Sequence, residues 1–315
     1  MGIKVRDIAY GRLRAPDLSS MEEFLTNFGL TLSERTPKAL YMRGTDCAHH
    51  IHVTELGDPR LIGVAYEADS EEDLERLSRL EGATTVESID EPGGGRRVRL
   101  TEPNGYEVEV VHGIAPLQPI HVERQPSNSG AEPLRRAGVL YRPLDGPTPV
   151  KRIAHFVLST PRVRETARWF QQTLGLIPTD EVYLGGQDGE LFGSFCRADR
   201  DQEYVDHHAF FCIKNDIAGL NHLSFEVPDI DAVFIDHEYL HSLGKYEHLW
   251  GVGRHLLGSQ VFDYWADPWG RIHEHWADGD RLNATATTAK WDVKDGLTVI
   301  WGQDIPERYK QYVRP

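Results

Sequence analysis

The sequence has few cysteines and no CxxC pair. Its three cysteines stand far apart, at Cys47, Cys196 and Cys212. Such spacing is typical of free thiols in a reducing compartment rather than of a disulfide framework. Cys196 and Cys212 lie in the apolar runs LFGSFC and AFFCI, which favour buried packing over catalysis.

Long apolar runs and basic blocks are also missing. No run is long enough to span a membrane, and the N-terminal segment MGIKVRDIAYGRLRAPD has neither the apolar core of a secretory signal nor a complete myristoylation pattern. The net charge is −15 with no dense Lys/Arg block, which argues against nucleic-acid binding. We therefore expect a cytoplasmic protein without a membrane or nucleic-acid partner.

The length and composition predict two globular domains. The chain has 315 residues, of which 40% are hydrophobic and 26% charged. A stretch rich in Pro, Gly and Ser, residues 116–149, is interpreted as a linker or crossover. It would separate an N-terminal domain, 1–115, from a C-terminal domain, 150–290. The remaining tail, 291–315, is a possible lid or oligomer contact.

The two halves repeat one another. VRDIAYGRLRAPDLSSMEEFLTNFGL in the first corresponds to VKRIAHFVLSTPRVRETARWFQQTLGL in the second, and later segments correspond in the same order. In the second copy, apolar residues recur at helical spacing from Val163 to Leu174, with capping residues at 159–161 and Gly175 at the end. The acidic run at 70–82 is interpreted as a helix with a solvated face. The repeats predict an α+β protein with two tandem domains, each of paired βαβββ modules.

The repeat also allows candidate metal ligands to be compared at equivalent positions of the two halves. Tyr10 corresponds to His155, Gly63 to His222, and Glu109 to Glu274, each Glu following four residues after a Gly. Two imidazoles and one carboxylate form a facial set that leaves up to three positions of an octahedral metal open. The N-terminal set cannot do this, because Gly63 has no side chain. The C-terminal domain is therefore the candidate metal-binding domain.

The motif RIHEHWAD places three potential ligands side by side. Side chains alternate between the faces of a strand, so Glu274 points away from His273 and His275. Because the repeat independently places a Glu at this position, we favour Glu274 as the ligand. The alternatives are that His273 or His275 is the ligand, or that all three are surface residues. His155 and His222, taken singly, are also compatible with partnered core histidines.

At these residues the sequence resembles the type I extradiol ring-cleaving dioxygenases of the vicinal oxygen chelate superfamily, over essentially the whole chain. The ordered ligand set and the stretch GRHLLGSQVFDYWADPWG before Glu274 carry the resemblance. It implies that His208 is the active-site acid/base, with His207 as the competing choice. It further implies that His255 is a second active-site histidine and that Tyr264 hydrogen-bonds a substrate oxygen.

The resemblance implies a fold, an activity and a cofactor. The activity would be cleavage of a catechol-type ring next to its vicinal hydroxyls, with both atoms of O2 inserted, by a homo-oligomer using Fe(II), or alternatively Mn(II). Some members of the family that act on biphenyl-type catechols carry Asn and Asp where this sequence has Leu257 and Gly258, so the substrate is left open. Two other functions also remain open: a metal-dependent isomerase or lyase of the same superfamily, and a non-catalytic protein that binds aromatic compounds.

Overall fold

A computed structural model of the chain describes residues 2–123, 126–142 and 146–310. Two short parts of the predicted linker, 124–125 and 143–145, lie outside the described residues. So do the first residue and the last five residues of the predicted tail. Within the described part of the chain, no helix is both long and apolar enough to cross a membrane.

The N-terminal half forms one eight-stranded mixed sheet with two helices. Its order is β2-β3-β4-β1-β5-β8-β7-β6. The elements are β1 (Ile8–Ala15), α1 (Leu18–Asn27), β2 (Thr31–Arg35), β3 (Ala39–Arg43), β4 (His52–Leu56), β5 (Arg60–Glu67), α2 (Glu71–Leu77), β6 (Glu87–Ser88), β7 (Arg96–Thr101) and β8 (Glu107–His112).

The C-terminal half forms a ten-stranded sheet and a small two-stranded one. Their orders are β19-β10-β11-β13-β9-β14-β17-β16-β15-β20 and β12-β18. The elements are β9 (Arg152–Thr160), α3 (Val163–Leu174), β10 (Leu176–Leu184), β11 (Glu190–Ala198), β12 (Val205–Asp206), β13 (Phe210–Lys214), β14 (Gly219–Glu226), α4 (Ile230–Leu243), β15 (Glu247–His255), β16 (Val261–Ala266), β17 (Ile272–Ala277), β18 (Arg281–Leu282), β19 (Ala289–Asp292), α5 (Val293–Gly296), β20 (Val299–Trp301) and α6 (Glu307–Lys310).

Each half consists of two βαβββ modules, which confirms the predicted fold class. In the first half, β1 pairs in parallel with β4 and antiparallel with β5, and β5 pairs in parallel with β8. In the second half, β9, β13, β14 and β17 repeat these pairings. The predicted equivalence of positions holds in the register, since Ala65 pairs with Glu109 as Ser224 pairs with Glu274. Strand β19, which runs into the predicted tail, and β20 within the tail extend the two edges of the larger sheet.

Two details of the predicted helices differ from the structure. Helix α3 covers the predicted apolar positions and ends at Gly175, whose φ of 69° is left-handed and suits glycine. Its N-cap, however, is Arg162 without a side-chain hydrogen bond, because residues 159–160 still belong to strand β9. The acidic run is helical only over α2, which Ser70 caps; Leu74 and Leu77 are buried, while Glu71, Glu72 and Glu75 lie on the predicted solvated face.

The two halves pack against each other through an apolar core. Phe28, at the end of helix α1, contacts Phe225 of β14, and Phe24 of the same helix contacts Phe28 in one continuous buried cluster. His273 and His275 of β17 belong to this interface: His273 lies 3.2 Å from Nε2 of His52, and Nε2 of His275 donates to the Phe28 carbonyl oxygen at 2.7 Å. The second half thus turns one face of β17 toward the first half and the other toward its own interior.

Candidate metal centre

Three side chains from neighbouring strands converge inside the C-terminal sheet. His155 lies on β9, His222 on β14 and Glu274 on β17, and all three are buried. Nε2 of His155 lies 3.3 Å from Nε2 of His222 and 3.0 Å from Oε2 of Glu274, and the third separation is 3.4 Å. Strand alternation explains the geometry, because Glu274 points away from the domain interface that its two neighbours occupy.

These residues fit a divalent metal ion. Neither oxygen of Glu274 has a partner in hydrogen-bonding geometry among the described residues, although the carboxylate is fully buried. Buried polar atoms are normally satisfied, so two unpartnered carboxylate oxygens indicate a missing ligand. Adjacent ligands of an octahedral ion, each about 2.1 Å from it, are themselves about 3 Å apart. The observed separations of 3.0, 3.3 and 3.4 Å match that arrangement.

The protonation of the cluster also suits a cation. Although burial favours the neutral acid, the imidazoles of His155 and His255 hold the pKa of Glu274 well below its ordinary value. Burial lowers the pKa of His222 to about 3, against the opposing effect of Glu274. A charged carboxylate and a neutral imidazole are the forms that coordinate a metal.

Groups behind His222 orient its ring. Its Nδ1 lies 2.8 Å from Oδ1 of Asn221 and 3.1 Å from the hydroxyl of Tyr309. The Asn221 amide is itself fixed, because its Nδ2 donates to Oγ of Ser159 at 3.2 Å. A proton on Nδ1 leaves the lone pair of Nε2 directed at the cluster, which is how outer groups set the tautomer of a ligating histidine. Tyr309 had no signal in the sequence, because it lies in a polar tail without periodicity.

Replacing Asn221 by Ala should lower the affinity for a divalent metal ion roughly 10- to 100-fold, because His222 would lose the group that fixes its tautomer and ring orientation. Competition with a chelator during anaerobic dialysis measures this affinity. Asn215→Ala, a change on the exposed loop before β14, serves as the control. An Asn221→Ala protein with the wild-type affinity would contradict this role.

The two histidines before β13 contact different groups. Nε2 of His207 lies 2.6 Å from Oδ2 of Asp180, on the outer side of the pair. His208 is turned inward, where its ring centroid lies 4.1 Å from that of His155. Burial and the neighbouring rings of His155 and His207 lower the pKa of His208 well below its ordinary value. Of the two histidines, the structure therefore brings only His208 beside the ligand cluster.

His255 and Tyr264 lie on the opposite side of the cluster. Nε2 of His255 is 2.9 Å from the Tyr264 hydroxyl and 3.6 Å from Oε1 of Glu274. The His255 ring stacks on Phe262 at 3.9 Å, while the Tyr264 ring lies 5.1 Å from that of His222. Burial raises the pKa of Tyr264 well above its ordinary value, so its hydroxyl keeps its proton. The site thus has a hydrogen-bonding edge at His255 and Tyr264.

Apolar side chains form two walls beside the cluster. One contains Trp250, Phe262 and Tyr264 together with Tyr309, whose ring contacts Trp250 and Tyr264. The other consists of Val157, Val182, Phe195, Phe211 and Leu257. Trp265, by contrast, packs with the opposite face of the sheet, so only part of the aromatic set noted in the sequence lies at the site.

The equivalent place in the N-terminal half is filled by an ion-pair network. Glu109 accepts a hydrogen bond from the Tyr10 hydroxyl at 2.5 Å and pairs with Arg12 at 3.1 Å and Arg97 at 3.0 Å. Gly63 cannot be replaced by a ligand, since a Cβ there would lie 1.8 Å from the carbonyl oxygen of Glu107. The guanidinium groups supply the positive charge that balances this buried carboxylate.

Replacing Arg12 by Met should lower the free energy of unfolding by about 3 kcal/mol, because it leaves a buried carboxylate short of a partner. The content of bound metal should stay at the wild-type level, since the change lies in the other half of the chain. Urea denaturation and metal analysis of the same sample measure both quantities. Unchanged stability, or loss of metal without loss of stability, would contradict this interpretation.

The N-terminal half also repeats the histidine pair. His49 and His50 precede β4 as His207 and His208 precede β13, and the Nδ1 atoms within each pair lie 3.2 Å and 3.1 Å apart. The His50 ring lies 4.8 Å from that of Tyr10, the counterpart of His155. Comparison of CAHHIHV with YVDHHAFF would have revealed this match in the sequence.

The chain folds as two tandem domains of the vicinal oxygen chelate type, with the two-histidine, one-carboxylate cluster in the second. Residues 7–110 match the Glyoxalase/Bleomycin resistance protein/Dioxygenase superfamily. Metapyrocatechase 2 of Cupriavidus necator is 29% identical over 309 residues, which are 97% of this chain and 91% of that protein.

Two solved structures share the fold. Homoprotocatechuate 2,3-dioxygenase from Arthrobacter globiformis superposes with a TM-score of 0.79 and 20% identity, covering 99% of this chain and 92% of that one. The Mn(II)-bound glyoxalase from Novosphingobium aromaticivorans superposes with a TM-score of 0.78 and 21% identity, covering 96% and 93%. The curated relative confirms the resemblance to extradiol dioxygenases that the sequence indicates, and the two solved structures confirm the fold.

Proposed function

We propose that the protein is an extradiol dioxygenase that cleaves a catechol-type ring next to its vicinal hydroxyls and inserts both atoms of O2. The observation that carries this proposal is the convergence of two imidazoles on a buried carboxylate whose oxygens have no partner in hydrogen-bonding geometry among the described residues, with proton-handling groups on two sides. The name of the Cupriavidus necator relative supports the same class of enzyme.

In this proposal, His155, His222 and Glu274 hold Fe(II). Mn(II) is the alternative, since a nitrogen and oxygen donor set separates these two metals poorly. When bound, the metal supplies open coordination positions for the two catechol oxygens and O2, together with the redox capacity that the reaction requires. The N-terminal domain, 1–115, has no equivalent role, because Arg12 and Arg97 already neutralise its carboxylate.

The catechol would be oriented and deprotonated by the chain itself. Tyr264 donates a hydrogen bond to one substrate oxygen, and His255, 2.9 Å from its hydroxyl, positions it. His208, on the other side of the cluster, takes a proton from the substrate and returns it when the ring opens. The apolar wall around Phe195 and Phe211 faces the aromatic ring and excludes water.

The tail acts in this proposal as a cover over the site rather than as a free extension. Tyr309 of α6 is 6% exposed and contacts both Asn221 and the ring of Tyr264. Its hydroxyl reaches the outer nitrogen of His222, so closure of the tail and orientation of a metal ligand are linked. We further expect a homo-oligomer. A location in the cytoplasm is consistent with the three free thiols, because that compartment is reducing.

Oxygen uptake by the iron-loaded protein tests the proposed function. Protein loaded anaerobically with Fe(II) is mixed in air with catechols that have one ring, two rings or a third hydroxyl. We expect one O2 consumed per catechol, a new absorbance from the ring-opened product, and no activity in His155→Ala or His222→Ala. Bound iron and bound catechol without any O2 uptake would instead favour a binding protein.

A further inference from the structure

A second cluster of potential metal ligands lies behind the site, on the outer face of the β15–β16 hairpin. It contains His237 on α4, His248 on β15 and Asp263 on β16, whose ligand atoms all lie within 4.8 Å of one another. Because side chains alternate along β16, Asp263 points toward helix α4, whereas its neighbour Tyr264 points into the candidate active site. The two clusters therefore lie on opposite faces of the same sheet.

The carboxylate at the centre is fully buried. Oδ1 of Asp263 lies 2.8 Å from Nε2 of His248 and 3.1 Å from Nδ1 of His237. Trp265 donates its indole N–H to Oδ2 at 2.6 Å, which fixes the plane of the carboxylate. The backbone makes room for it, since a Cβ at Gly251 would lie 2.4 Å from Oδ1. The carboxylate is thus held in place, with Oδ1 close to both imidazoles and Oδ2 also 3.1 Å from Nδ1 of His237.

A third imidazole lies at the solvent side of this group. His241 is one helical turn after His237 on α4, and residues four apart share a helix face. Its ring centroid is 4.6 Å from that of His237 and 5.2 Å from that of His248. His241 is exposed, whereas the side chains of His237 and His248 are 19% and 14% exposed. The cluster is therefore open to an ion from solvent.

We propose that His237, His248 and Asp263 bind a divalent transition-metal ion such as Zn²⁺, with His241 as a fourth ligand. Imidazole donors select zinc and its neighbours over Ca²⁺ and Mg²⁺, which prefer oxygen ligands. Four protein ligands would close the coordination of a tetrahedral ion, as in structural sites. Such an ion would fasten helix α4 to the hairpin that presents Tyr264, and it would be independent of the catalytic metal.

Zinc binding to the iron-loaded protein tests this proposal. The protein, loaded anaerobically with Fe(II), is dialysed against Zn(II), and both metals are then measured per chain. We expect one zinc in addition to iron in the wild type and in the control His121→Ala, an exposed residue of the linker. The double variant His237→Ala/His248→Ala should lose the zinc and keep the iron. Zinc absent from the wild type, or retained by the double variant, would overturn the proposal.

Two further variants keep the outcome interpretable. Glu274→Gln should lose the iron and keep the zinc, so a failure of the catalytic site is distinguished from a failure of this one. His241→Ala changes only an exposed side chain and should lower zinc affinity at least about tenfold, since even outer-shell partners have effects of that size. Zinc should also raise the melting temperature of the wild type by several degrees, but not that of the double variant. Equal zinc affinity with and without the His241 side chain would show that His241 is not a zinc ligand.

Discussion

Glu274→Gln is expected to remove the iron and to lower ring-cleavage activity by roughly a thousandfold or more, the equivalent of several kcal/mol of transition-state stabilisation. The amide has nearly the same shape as the carboxylate, so the fold should be preserved. It removes the negative charge that the buried ion requires beside His155 and His222. Iron per chain and O2 uptake, both measured on anaerobically loaded protein, test this expectation.

The repeat provides a matched control for this variant. Glu109→Gln makes the same change at the equivalent strand position of the first half, where Arg12 and Arg97 neutralise the carboxylate. It should lower the free energy of unfolding and leave iron content unchanged. Glu274 would not be an iron ligand if Glu274→Gln kept one iron per chain, or if both variants lost iron to the same extent.

His208→Ala is expected to lower kcat by about 10²- to 10⁴-fold, the usual contribution of a positioned acid/base, with iron content unchanged. The reason is its place beside His155 but outside the ligand set, where it can reach a proton of a bound catechol. Steady-state O2 uptake at saturating catechol, together with metal analysis, separates loss of proton transfer from loss of metal.

The second histidine pair again supplies the control. His50→Ala removes the equivalent side chain, which packs against Tyr10 and not against a metal ligand. It should leave kcat at the wild-type value. His207→Ala is the informative third variant, because His207 contacts both His208 and Asp180 and should reduce kcat less than His208→Ala does. A normal kcat in His208→Ala would exclude it as the acid/base.

Much of this structure could be predicted from the sequence because the two halves of the chain repeat one another and can be compared position by position. The repeat fixed the order of the modules and the equivalence of Glu109 with Glu274, and strand alternation then separated Glu274 from His273 and His275. The surroundings of His273 and His275 could not be predicted from the sequence. Both pack against Phe28 of the other half, and this contact is seen only in the tertiary structure.

The parts that the sequence did not reveal depend on contacts between distant segments. Tyr309 reaches Asn221 and His222 from the end of the chain, and no local pattern predicts such a contact. The cluster around Asp263 was also missed, because its histidines come from a helix and a strand whose packing brings them together. Local periodicity predicts elements, whereas these sites require tertiary structure.

Anomalous diffraction at the iron edge, from crystals equilibrated anaerobically with Fe(II) and a catechol, tests the central claim most directly. We expect an iron peak about 2.0–2.2 Å from Nε2 of His155, Nε2 of His222 and an oxygen of Glu274, with the catechol oxygens between the peak and Tyr264. A fully loaded crystal with no iron at these three residues would contradict it.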